Sequence, residues 1–136
     1  MPYIAAYLAA AVTFVLLDAV WLTLAGPKLY KPIIGEILAE RVAAGPAVAF
    51  YLIYLVGVVV LAAAPAAREG SWPRAMALGA TLGVVAYATY DLTNQATLKV
   101  WSLKITLADM AWGAFVTAMA ATASCLAFRA VRRAFG

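Results

Sequence analysis

Histidine is absent from this chain of 136 residues, and cysteine occurs once, at Cys125. The first absence removes the commonest metal ligand and the usual acid–base group at neutral pH. The second rules out an intrachain disulfide, and together they leave neither zinc nor haem expected. Charge is also scarce. Asp, Glu, Lys and Arg make up 12% of the residues, against about 25% in a typical soluble domain. What fills the chain is apolar: 67% of it is drawn from Ala, Val, Ile, Leu, Met, Phe, Trp, Tyr and Cys, and the mean hydropathy is +0.95. So small a water-soluble fold cannot hide that much apolar surface, because small domains bury only part of theirs. A soluble enzyme, a nucleic-acid-binding module and a disordered linker are thereby excluded. The net charge of +4 points to no nucleic-acid partner, since the basic residues sit at segment ends, where membrane proteins place them.

Crossing about 30 Å of hydrocarbon takes roughly 20 mostly apolar residues. Four stretches qualify, at about 4–25, 46–64, 75–97 and 105–128. The expected fold is therefore an all-α integral membrane protein, a bundle of four transmembrane helices forming one domain over 1–136. The first span is expected to stop at Gly26-Pro27. The N-terminus lacks a basic region and its apolar run is too long for a cleavable signal peptide. Between spans one and two, at about 33–42, apolar residues recur at helical spacing, with Glu36, Glu40 and Arg41 opposite. That pattern predicts a short amphipathic helix in the interface. Trp72 and Trp101 fall in the short connections and read as interfacial anchors.

Where the charges fall matters more than their number. Three of the six acids, Asp18, Asp91 and Asp109, lie inside spans. An aspartate at mid-helix costs about 2.5–3.5 kcal/mol on insertion scales, so it normally faces the bundle interior or water. Alternation of span direction brings all three toward the face opposite the termini, roughly 6–10 Å deep at about 1.5 Å per residue. Around them, Tyr87, Tyr90, Asp91 and Asn94 share one helical face, which continues through Gly79 and Gly83, a pair that permits close helix approach. Small and polar residues from Thr106 to Ser124 form a matching stripe. Asp18 and Asp109 are each followed three residues later by a tryptophan, Trp21 and Trp112. The inferred object is a polar pocket open to one face. Asp18, Asp91 and Asp109 are its candidate catalytic groups, Tyr87, Tyr90, Asn94, Trp21 and Trp112 its ligand-binding walls, and Lys99 and Lys104 stand at the rim, able to pair with an aspartate. The rival reading is that these polar groups bond one another and lock the bundle.

The octapeptide Tyr87-Ala88-Thr89-Tyr90-Asp91-Leu92-Thr93-Asn94, with Asp18-x-x-Trp21-Leu22 before it and Asp109-x-x-Trp112-Gly113 after it, resembles a family of small bacterial inner-membrane proteins of unknown function, numbered 2177. The resemblance covers essentially the whole chain. It implies four spans and a bacterial membrane location, and it supplies no reaction.

Function must then come from the pocket. An aspartate-floored, aromatic-walled site near one interface suits binding of a lipid or small amphiphile, with modification of that ligand left open. Buried carboxylates can exchange protons, or Asp18, Asp91 and Asp109 can hold a hard cation, Mg²⁺ or Ca²⁺, through oxygen. The alternative is a proton-coupled exporter or channel working as a dimer, because membrane acids are natural proton carriers. Expected partners are membrane lipids, with a homo-oligomer left open. Each face carries five Lys and Arg, so the positive-inside rule ties. The arginines clustered after span four lean toward cytoplasmic termini in a bacterial inner membrane.

Overall fold

The computed structural model describes all 136 residues and contains helices and connections, with no strand. Four helices are long and apolar enough to cross a membrane: α1 (Pro2–Ile37), α2 (Ala44–Arg68), α3 (Trp72–Thr97) and α4 (Leu103–Phe135). Ser71 caps α3 by accepting the Arg74 N–H, and Ser102 caps α4 by accepting that of Ile105; such caps satisfy donors left free in a first turn. The α2–α3 connection turns at Gly70, whose φ of +73° favours glycine.

The arrangement centres on α4, against which α3 and α1 both pack along their lengths. From Val58 onward α2 packs on α3 and α4, whereas its first half, Ala44–Gly57, lies chiefly on α1. The core is built largely from alanines, among them Ala6, Ala10, Ala62, Ala63, Ala120 and Ala121, with Phe14, Leu55, Val58 and Val116. Small side chains let helix backbones close on one another where lipid supplies little hydrophobic drive. Outward faces carry Ile4, Leu8, Val12 and Leu16 on α1 and Leu52 and Ile53 on α2, all exposed.

The closest contact joins α3 to α4. A Cβ on Gly83 would stand 2.2 Å from the Gly113 carbonyl oxygen, and one on Gly79 would stand 2.7 Å from that of Thr117. The expected small-residue stripes on these two helices are thus their mutual packing faces.

Two expectations need correction. The first helix does not stop at Gly26-Pro27 but passes through a π turn over Gly26–Tyr30 into Lys31–Ile34. Proline has no N–H to donate, and a wider turn accommodates the missing bond without ending the helix. The Lys31 N–H reaches back to the Gly26 carbonyl. A second π turn, Val58–Ala63, precedes Pro65 in α2. The separate interfacial helix expected at 33–42 is likewise absent. Its first residues are the tail of α1, ending in a tight turn at Gly35–Ile37, and 38–43 is non-helical. The extended backbone of Leu38 breaks the helix there, leaving Glu36, Glu40 and Arg41 exposed.

Candidate functional site

Asp18, Asp91 and Asp109 are all buried, as their cost in a membrane requires, and Asp91 completely so. They do not share one environment. Asp18, on α1, accepts from the Tyr51 hydroxyl of α2 through Oδ2 and from Trp112 Nε1 of α4 through Oδ1, the latter at 3.2 Å. Asp109, on α4, accepts from the Tyr30 hydroxyl, which itself accepts from Trp21 Nε1 at 3.0 Å. Trp21 and Trp112 stack face to face, centroids 4.8 Å apart and planes within 4°. Two donor chains, one ending on each aspartate, are therefore joined by an indole pair.

Asp91 lies outside both chains. No N–H or hydroxyl donor reaches either of its carboxyl oxygens, and none reaches Gln95 Oε1 one helical turn further on; only a proton shared with the Asp109 carboxyl can bridge to it. The ionisable group beside it is the Asp109 carboxyl. Lys99 and Lys104, expected to pair with an aspartate, are exposed and do not; the chain's one salt bridge joins Arg74 to Glu69 at the other end. Three buried carboxyl groups thus have no basic side chain among their partners. Two facing buried acids cannot both be ionised without a proton or a cation between them, so the Asp91–Asp109 pair calls for an explanation.

Sequence spacing puts the three acids at similar depths, and the structure gives them different partners. Asp91 lies six residues before the end of α3 and Asp109 six after the start of α4. Asp18 instead meets Trp112, which lies nearly one turn beyond Asp109 on α4. The three carboxylates accordingly do not gather as a ligand set, and no group of three or more His, Cys, Asp or Glu side chains is placed to hold a metal ion. Little of them reaches the surface: Asp18 and Asp109 keep 9% and 8% of their surface and Asp91 none, with the stacked indoles and two tyrosine hydroxyls packed around Asp18 and Asp109.

Tyr87 and Asn94 are half-buried and Tyr90 is exposed. Tyr87 sits over Gly113, within charge range of Asp18 and Asp109, and Tyr90 faces Asp91, Asp109 and the Asn94 side chain. Trp101 is no interfacial anchor. It is buried, donates from Nε1 to Thr106 Oγ1 at 3.0 Å and packs edge-on against Tyr90. The donors Tyr51 and Tyr30 lie outside the set of site residues expected from the sequence. A π turn inserts one residue and so rotates everything beyond it by about 100°. Without that shift Tyr30 falls off the Asp18 face, and with it the hydroxyl joins that face.

Fold and site together define a polytopic α-helical membrane protein with a buried network of aspartate, tyrosine and tryptophan at the end of the bundle opposite its termini. Residues 3–126 match the family model described as predicted membrane protein (DUF2177), and the chain belongs to that family. No curated protein and no solved structure matches it.

Proposed function

We propose that this protein binds the amino end of a lipid or small amphiphile at the Asp91–Asp109 pair. One observation carries the reading: Asp91 is fully buried, no N–H or hydroxyl donor reaches its oxygens, and its hydrogen-bonding neighbour is another acid, so the pair needs a proton or a cation between its carboxyl groups. An ammonium group supplies up to three donors and a positive charge, which answers both deficits, and Gln95 Oε1 stands ready as a further acceptor. Tyr87, Tyr90, Trp21 and Trp112 provide aromatic faces of the kind that attract cations. The first half of α2 packs chiefly on α1 at this level rather than on α3, so the gap between α2 and α3 offers a lateral way in from the bilayer. The setting we assign is a bacterial inner membrane with cytoplasmic termini.

The test compares dodecylamine with dodecanol, using indole fluorescence of the full-length protein in detergent. Charge-assisted hydrogen bonds are roughly twice as strong as neutral ones, so the amine is expected to bind about tenfold or more tightly, and Asp91→Asn to remove that preference. Equal affinity for the alcohol, or an unchanged preference in Asp91→Asn, overturns the reading.

A second reading, a proton-coupled exporter or channel working as a dimer, draws on the same pair, because two facing acids can hold one proton between them. Proteoliposomes carrying a pH gradient discriminate the two. Gradient-driven amine flux that Asp91→Asn abolishes supports transport, and amine binding without flux supports the first reading.

A further inference from the structure

The opposite end of the molecule carries a basic groove that the aspartate network does not use. Two adjoining cavities of about 490 and 380 Å³ share Arg68 and Arg132. The first is walled by Pro2, Tyr3 and Phe128, and the second adds Arg129 and Arg133 from the last turns of α4. The one carboxylate lining them, Glu69, is engaged by Arg74 at 2.6 Å. Arg68, Arg129, Arg132 and Arg133 are left without an acidic partner. Arg68 is nonetheless held in place, its guanidinium donating to the Tyr3 hydroxyl, and the Tyr3 ring packs edge-on against Phe128 at 5.0 Å. Basic side chains near helix C-termini also favour the helix dipole, yet that role requires neither an aromatic wall nor arginines from two helices around one groove.

We infer that this groove binds the phosphate of an anionic phospholipid in the leaflet on the side of the termini. Guanidinium groups recognise phosphate through paired N–H donors, and four unpaired arginines supply the charge. The aromatic wall supplies the reason for a lipid rather than a free anion. Tyr3 and Phe128 wall the groove, and the turns of α1 that follow Tyr3 present exposed Ile4 and Leu8. A headgroup seated on the arginines can thus lay its acyl chains on an apolar helix face without leaving the bilayer.

The experiment uses the full-length protein, delipidated in a neutral detergent, with retention of phosphatidylglycerol followed by native mass spectrometry against phosphatidylcholine. Phosphatidylglycerol is expected to be retained preferentially. A basic side chain contributes appreciably at an anionic surface, so the double variant Arg68→Gln/Arg132→Gln should weaken retention about tenfold or more. Two controls separate a built site from general charge attraction. Arg74→Gln removes a guanidinium already paired, and Lys28→Gln/Lys31→Gln removes the same charge from the opposite end; each should change retention by less than about twofold. Should the arginine double variant fail to fold, Tyr3→Phe frees Arg68 while keeping the ring, and a severalfold loss is expected there. Equal losses in the lysine control, or no loss in the groove variants, overturn the inference. So does an absence of preference between the two lipids combined with saturation by inorganic phosphate, which would make this a free-anion site.

Discussion

Asp18 and Asp91 are the same residue type in the same bundle, and their surroundings give them opposite consequences. Asp18 serves two donors, the Tyr51 hydroxyl and Trp112 Nε1. Replacing it with alanine strands both, and an unmet buried donor costs about 1–3 kcal/mol. Asp18→Ala should therefore lower the thermal unfolding midpoint of the detergent-solubilised protein clearly. Asp91 serves none. An asparagine there is never charged and carries donors that can face the Asp109 carboxyl, so Asp91→Asn should leave the midpoint unchanged or raise it. A fall as large as that of Asp18→Ala would show that Asp91 holds the fold together rather than awaiting a ligand. Tyr30→Phe belongs with the first case. It leaves Asp109 and Trp21 Nε1 without their shared partner and should destabilise by about 1–3 kcal/mol on the same measurement.

At the scale of the helix, the α3–α4 seam sets a sharper requirement than apolar composition does. Gly83 has no room for a methyl group, because the obstacle at 2.2 Å is backbone that cannot rotate away. Overpacking of this kind costs typically about 1–3 kcal/mol, so Gly83→Ala should reduce thermal stability by that order. Gly45→Ala is the matched control. A Cβ there meets nothing within 4 Å, and alanine is the better helix former by about 1 kcal/mol, so the change should be neutral or mildly favourable. Helix existence and the seam were legible because both leave a periodic trace, twenty-odd apolar residues in one case and glycines four apart in the other. The ends of the elements were not. Gly26-Pro27 is a chain-breaking signal in water, but a π turn carries α1 through it, and no periodicity marks where the extra residue falls. Tyr30 was lost for the same reason.

For the whole molecule, the three spanning aspartates were legible from cost alone, since each acid in a span must be buried. Their division into a satisfied Asp18 and an unsatisfied Asp91 was not, because it depends on hydroxyl and indole donors of α1, α2 and α4 that no spacing rule assigns. Orientation sits between these cases. The lysines and arginines divide equally between the faces, yet the groove arginines converge around one pair of cavities, while Lys28, Lys31, Arg41, Lys99 and Lys104 are scattered over connections and helix ends. Concentrated basic charge is what the cytoplasmic leaflet, with its anionic lipid, attracts. Cysteine labelling of cells decides the matter with little background, because the native Cys125 is fully buried. A membrane-impermeant maleimide applied to intact spheroplasts should label Glu40→Cys and spare Gly136→Cys, and lysis should expose the second position. The reverse pattern would put the arginine groove on the outer side and turn the aspartate network toward the cytoplasm. Labelling of both positions in intact cells would mean that the chain inserts in two orientations, as equal basic charge on its two faces permits.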